Sequence, residues 1–334
     1  MHHRLCVAPM LDWTDKHCRY FHRLLSPNAY LYTEMVTTGA ILFGQTASHL
    51  QFNLQEKPLA LQLGGSDPKS LAQSAYLAEM HGFDEINLNC GCPSARVQKG
   101  AFGACLMAEP KLVVACWEAM RKSCSLPITI KHRIGIDNQD NYSFVYHFVN
   151  ELFQAGCQTF IVHARKAILK GLSPKENRQI PLLNYDFVYQ LKNDFPDCKI
   201  IINGGICTLS DVSQHLKYVD GVMIGREAYH NPVILFDLDQ TLFSGKPGNK
   251  LNALSASSVL QNGQANNLDN VINEYRQYML DALNRGENLS VLIRPLLGWR
   301  RGQKNARRFR HVLSNSKRLS LNDISVVDEA FDCF

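Results

Sequence analysis

Eight short apolar runs, rich in β-branched residues, recur through the first two-thirds of the chain, and each is followed by a polar turn and a helix-like pattern. In order they span Leu5 to Pro9, Tyr30 to Met35, Leu59 to Leu63, Glu85 to Asn89, Ile128 to Arg133, Thr159 to Arg165, Lys199 to Asn203 and Gly221 to Gly225. This alternation is the one expected of a parallel sheet. Helix-like stretches fill the gaps, among them Pro68 to His81 after the start signal Ser66-Asp67, Pro110 to Ser123, and Leu209 to Leu216. Eight strands within about 225 residues match the size of a closed (β/α)8 TIM barrel better than an open doubly wound sheet.

The pattern changes after Tyr229. Residues 243–267 are rich in Ser, Gly and Asn and short of charge, the composition of a flexible connector. Helical periodicity then returns through Leu268 to Arg285, Ser290 to Arg300, Gln303 to Leu313 and Asn322 to Phe331. The expected organisation is a catalytic barrel over 1–242, a connector over 243–267 and a small all-helical domain over 268–334. At 46% hydrophobic residues the chain has ample core material. Eleven cysteines, an odd number without paired spacing, point to a reducing compartment. MHHRLCVAPM lacks the apolar run of a signal peptide, and no stretch approaches the ~18 apolar residues of a membrane span, so a soluble cytoplasmic protein is expected.

Polar side chains gather at the C-terminal ends of the predicted strands: Gln62, Asn87, Asn89, Lys131, Arg133, His163, Arg165, Asn203 and Arg226. Each is costly to bury unless satisfied, and inter-strand bonding inside the barrel accounts for any one of them. For six strands to carry such groups at one end, a shared ligand is the better account. INGGI (Ile202 to Ile206) and GVMIGR (Gly221 to Arg226) place glycines where backbone N–H groups approach a phosphate, with Arg226 supplying charge. A cation at Lys131 and an amide at Gln62 suit the polar edge of a ring that becomes electron-rich, although without the other motifs a buried ion pair is the better reading of Lys131.

The sharpest local feature is NLNCGCPS, Asn87 to Ser94, where Gly and Pro hold Cys92 just past a strand end. There the thiol is available as nucleophile, general acid or metal ligand. A zinc or iron–sulfur site takes four ligands at tight spacing, and one CxC with Cys105 well downstream does not supply them, so no metal is expected. From Arg294 to Arg318 stand nine Lys or Arg residues with no Asp or Glu, which leaves the rest of the chain slightly acidic and concentrates any attraction to a polyanion in this segment. Arg300, Lys304, Arg307, Arg308 and His311 are spaced to share a helix face, with Leu296, Trp299, Ala306, Phe309 and Leu313 facing inward.

APMLDWTD (Ala8 to Asp15), TEM (Thr33 to Met35), LQLGGSDP (Leu61 to Pro68), NLNCGCPS, KHRIG (Lys131 to Gly135), VHARKAILKGLSPKENR (Val162 to Arg178), NGGI and GVMIGR follow one another in this order. Together they resemble the tRNA-dihydrouridine synthase family over nearly the whole chain. The unbroken ARKAILKGLSPKENR loop is similar to that of the A subfamily, whose targets are D-loop uridines 20 and 20a. The resemblance implies an FMN enzyme that oxidises NADPH and acts on the D-loop of tRNA. Neither a membrane nor a metal partner is expected, and the chain is expected to be a monomer. Carried over by motif, Ala8, Pro9 and Met10 wall the flavin ring; Gln62 and Lys131 meet its polar edge; His163, Asn203, Gly204, Gly205, Gly225 and Arg226 hold its phosphate end. Cys92 takes the catalytic position and Cys90 does not, while Asn89, Lys175, Arg178 and Arg294 face RNA. Reducing the uracil 5,6 double bond needs hydride at carbon 6 and a proton at carbon 5. An ordinary thiol is mostly protonated near neutral pH, so Cys92 suits the proton donor. A small-molecule flavin dehydrogenase would have no use for a basic helical appendage, and a non-catalytic RNA binder would have no use for Cys92 in a strand-end loop.

Overall fold

The computed structural model describes residues 3–44, 46–243 and 268–333. Eight parallel strands form one sheet: β1 (Leu5–Val7), β2 (Leu31–Thr37), β3 (Leu59–Gly64), β4 (Glu85–Cys90), β5 (Ile128–Arg133), β6 (Thr159–His163), β7 (Lys199–Asn203) and β8 (Gly221–Ile224). They lie in the order β1-β8-β7-β6-β5-β4-β3-β2. Val7 N donates to Tyr30 O at 3.0 Å and Tyr30 N to Leu5 O at 2.8 Å, so β1 also meets the start of β2 and the sheet closes. The expected TIM barrel is the fold.

Side chains alternate across each strand, and in a barrel this separates an inner set from an outer one. Cys6, Ala8, Tyr30, Tyr32, Ala60, Ile161, Ile201 and Met223 form the inner cluster, against which Met10 packs. Glu85, Asn87 and Asn89 on β4, and Thr129, Lys131 and Arg133 on β5, continue this inner set through the register Asn87–Thr129 and Asn89–Lys131. Ile86, Leu88 and Cys90 occupy the opposite face and are fully buried. The predicted helices at 68–81, 110–123 and 209–216 are present as Pro68–Met80, Pro110–Ser123 and Leu209–His215. Asp67 caps the first by accepting from Ser70 N at 2.8 Å, and Thr208 with Asp211 forms a capping box on the last.

The chain divides into two compact units. One holds residues 1–11, 30–52 and 57–225; the other holds 12–29, 53–56 and 226–334. Helix Lys16–Leu25, near the N-terminus, therefore belongs with the helical unit, as do Arg226–His230 and Val233–Phe243. Its Phe21 ring stands 4.7 Å from Tyr275, its His17 Nδ1 lies 2.8 Å from Tyr278 Oη, and Arg19 bonds Glu56 at 2.6 Å. Sequence-order boundaries at 242 and 268 follow the chain, whereas this division follows contacts. Apart from Phe243, the expected connector at 243–267 lies outside the described residues.

The C-terminal helices differ in detail from the periodicity. Leu268–Asn284 is present nearly as expected, but Ser290 to Arg300 resolves into Leu289–Leu292 and a 3-10 turn, Arg294–Gly298. Pro295 cannot donate to a continuing helix, and a Cβ at Gly298 would sit 2.6 Å from Tyr229 O. The helix expected from Gln303 begins at Ala306, and the one expected from Asn322 begins at Ser325. Arg300, Gly302 and Asn305 take φ of 59°, 79° and 66°, a left-handed run that no helix accommodates. Arg300 and Lys304 are thus not on the face shared by Arg307, Arg308 and His311. The inward set is as expected, with Leu296, Trp299, Ala306, Phe309 and Leu313 buried.

Candidate active site

Strand ends converge a thiol, amides and cations at one end of the barrel. β4 stops at Cys90, whose side chain faces away from the inner set. Burial, then the neighbouring Cys116, Cys105 and Cys157, push the Cys90 thiol well above its ordinary range. Gly91 turns the chain out of the sheet, and Cys92 is partly exposed. The loop is fixed from both sides: Gly91 N and Cys92 N donate to Asn89 Oδ1 at 3.1 and 2.9 Å, and Ala104 N donates to Cys92 O at 2.9 Å. Gly103 permits the last contact. It has φ of 77°, and a Cβ there would stand 2.5 Å from Cys92 O.

Lys131 is half-buried and its Nζ bonds Asn203 Oδ1 at 3.3 Å; Asn203 Nδ2 in turn donates to Met223 O at 2.7 Å. Burial, then the charge of Arg133, lowers the Lys131 ammonium to about 8. Arg133 is buried and is pulled down to about 10, first by burial. His163 is pushed well below its ordinary value by burial, then by Arg133, Lys131, Arg165 and Arg178, so it stands neutral among cations. Among the described residues neither Lys131 nor Arg133 makes an ion pair. Partly desolvated cations without a carboxylate are costly unless an anion joins them.

Beside His163, Gly204 takes φ of 117° and a Cβ there would meet His163 Cδ2 at 2.7 Å. Only glycine gives the backbone this approach. Gly205 follows, exposed, with φ of 73°. Ala8 N donates to Ile224 O at 2.8 Å, which sets Ala8, Pro9 and Met10 beside the end of β8 and Gly225. Arg226 is the next residue in the chain and opens helix Arg226–His230 of the other unit. Neutral imidazole, glycine-lined backbone and cations without a carboxylate partner among the described residues suit the phosphate and electron-rich ring of a flavin nucleotide. Gln62 is buried, with Nε2 donating to Asn87 Oδ1 at 2.7 Å and Oε1 accepting from Asn89 Nδ2 at 2.9 Å. Among the described residues no three His, Cys, Asp or Glu side chains gather as a metal site, and no helix is long and apolar enough to cross a membrane.

Of the expected RNA-facing residues, Lys175 and Arg178 are exposed on the 165–178 loop, Asn89 is buried, and Arg294 is exposed in the helical unit. Two residues outside that set build the loop. Arg133 donates to Gly91 O, Lys166 O and Asn177 O at 2.8, 2.9 and 3.0 Å, joining the Cys92 loop to 165–178. Asn177, fully buried, accepts from Ile168 N at 2.7 Å and donates to Ile168 O at 2.9 Å. The signal for Arg133 is its place two residues after Lys131 on the same strand face; Asn177 carries none. The basic segment is less uniformly free than its composition suggests, since Arg301 pairs with Glu227 at 3.1 Å and Arg318 with Asp323 at 2.7 Å and with Glu329. Lys304, Arg307, Arg308, Arg310 and Lys317 are exposed.

The description "Dihydrouridine synthase (Dus)" belongs to the family model that matches residues 6–332. The chain belongs to this family. Relatives named tRNA-dihydrouridine(20/20a) synthase include that of Pseudomonas putida, 50% identical over 98% of this chain and 93% of its own, and that of Yersinia pestis, 51% identical over 98% and 90%. The Escherichia coli protein of that name is 50% identical over 98% of this chain and 94% of its own. Among solved structures, morphinone reductase aligns with a TM-score of 0.50 at 12% identity, over 74% of this chain and 88% of its own, a likeness of fold.

Proposed function

We propose that this family member reduces D-loop uridines 20 and 20a of tRNA to dihydrouridine, with FMN as bound cofactor and NADPH as reductant. The observation that carries the reading is the placing of Lys131 and Arg133, cations with no carboxylate partner among the described residues, around neutral His163, beside the loop that presents Cys92. Names and near-complete coverage of relatives support the substrate. Gln62 and Lys131 would hold the ring edge, and His163, Asn203, Gly204, Gly205, Gly225 and Arg226 the phosphate end. Reduced FMN supplies hydride when bound. Cys92 gives its thiol proton to carbon 5 of the uracil, from a loop that Asn89, Gly103 and Arg133 keep in place. Lys175, Arg178 and Arg294 meet RNA phosphates, offsetting the few kcal/mol needed to extract a stacked base.

Mass spectrometry of tRNA from a strain lacking the protein tests the substrate: dihydrouridine should vanish at 20 and 20a and persist elsewhere. Retention at both positions would overturn it. Purified protein should be yellow, and Lys131→Ala should lower flavin per mole of protein; full occupancy in that variant would reject the site.

A further inference from the structure

A single hydrogen-bonded chain runs through the barrel interior from the base of β4 to the Cys92 loop. At the base, Glu85 is fully buried; Thr129 Oγ1 donates to its Oε1 at 2.7 Å, Tyr32 Oη lies 3.3 Å from the same oxygen, and His3 Nε2 stands 2.6 Å from Oε2. Thr129 Oγ1 accepts from Asn87 Nδ2 at 2.9 Å, Asn87 Oδ1 from Gln62 Nε2 at 2.7 Å, and Gln62 Oε1 from Asn89 Nδ2 at 2.9 Å. Asn89 Oδ1 then takes the backbone N–H groups of Gly91 and Cys92. Every side chain between Glu85 and Asn89 is at most 8% exposed, so water does not substitute for a lost partner.

The loop end of this chain dictates its polarity. Backbone N–H groups only donate, so Asn89 must turn its oxygen to the loop and its nitrogen to Gln62. Asn87 Oδ1 is taken by Gln62, so Asn87 turns its Nδ2 to Thr129 Oγ1, and the hydroxyl proton of Thr129 is left for Glu85 Oε1. A threonine hydroxyl has one proton, and its 2.7 Å bond to Glu85 is shorter than the 3.3 Å alternative to Ile86 O. Each amide between the ends is therefore held in one of its two flips. Gln62 keeps one further N–H on Nε2 as a donor.

We propose that Glu85, Thr129 and Asn87 are positioning residues: through this chain they fix Gln62 as a donor toward the ring of the bound cofactor and hold the Cys92 loop. The first part rests on the flavin reading above, and the second does not. Thr129→Val keeps the shape of the side chain and removes the hydroxyl; Thr129→Ser restores it; Glu85→Gln lets the base of the chain donate as well as accept.

Hydrogen exchange of the full-length, flavin-free protein tests the loop. Exchange at Gly91 and Cys92 should quicken in Thr129→Val and Glu85→Gln, return to wild type in Thr129→Ser, and stay unchanged in β7. Unchanged exchange at Gly91 and Cys92 in soluble Thr129→Val and Glu85→Gln, or equal quickening across the barrel, overturns the proposal. Titration with FMN tests the other part. Thr129→Val should weaken binding roughly two- to tenfold, the scale of one neutral hydrogen bond, lower the midpoint potential and alter the visible spectrum, with Thr129→Ser as wild type. If all three proteins bind FMN with one spectrum and one potential, the Gln62 role is wrong. If wild type binds no FMN, the flavin reading fails and the Gln62 role with it, while exchange still decides the loop.

Discussion

Cys90 and Cys92 stand two residues apart and meet different surroundings, because the strand ends between them. Cys90 is the last outward side chain of β4, with its thiol pushed up by burial, whereas Cys92 lies in a loop tied to Asn89. Cys92→Ala should keep its flavin and still oxidise NADPH while dihydrouridine formation falls about 10²-fold or more, the scale of a lost general acid. Cys90→Ala should cost stability and leave turnover within a few-fold; the reverse ranking would reassign the acid. Lys131 gives a pH dependence at the same scale. Its ammonium is lowered to about 8, first by burial, so it loses its charge as pH rises through that value, earlier than an exposed lysine. FMN affinity should therefore be full below about pH 7.5 and decline toward pH 9. A dissociation constant flat from pH 7 to 9, by flavin fluorescence, would remove Lys131 from the anion site.

Loops and helices carry what the strands do not. The 165–178 loop is folded on Asn177, which ties Ile168 in both directions and also accepts Arg133 on its carbonyl. Asn177→Ala should leave flavin content unchanged, raise the KM for tRNA several-fold and open 165–178 to protease. Equal protease resistance in wild type and variant would show that Arg133 alone maintains the loop. Helix Ala306–Leu313 buries Ala306, Phe309 and Leu313 and exposes Arg307, Arg308 and Arg310, with Lys304 just ahead of it. Replacing these four cations by Gln removes charge from exposed positions. If they meet RNA phosphates, the slope of log K for tRNA against log salt should flatten by roughly 0.7 to 0.9 per lost contact, with NADPH oxidation unchanged. An unaltered slope would confine RNA docking to Lys175, Arg178 and Arg294.

Over the whole molecule, buried histidines set acid tolerance. His22 and His132 are each lowered from 6.5 to about 4, chiefly by burial, so they are neutral in the folded chain and protonate readily only when it unfolds. Their contribution is complete above pH 6.5 and is lost as pH falls toward about 4, at about 2 kcal/mol each by pH 5. Urea midpoints should fall between pH 7 and pH 5, and less so in His132→Gln; a flat profile would show that these rings are solvated. The barrel itself was legible in the sequence, since eight short apolar runs separated by helix-length segments admit few folds, and the glycines and the CGC triplet marked its mouth. The break at Pro295 and Gly298 and the late start at Ala306 were not, because apolar spacing does not report backbone φ. Pairing of Arg301 and Arg318 with acids beyond the basic run was invisible for a related reason: composition counts charges without their partners. What the sequence alone determined was where the eight strands run and which polar residues stand at their C-terminal ends. That Glu85, Thr129, Asn87, Gln62 and Asn89 join end to end was decided only when β3, β4 and β5 came into register, because a hydrogen bond between side chains 25 to 44 residues apart exists only in the closed sheet.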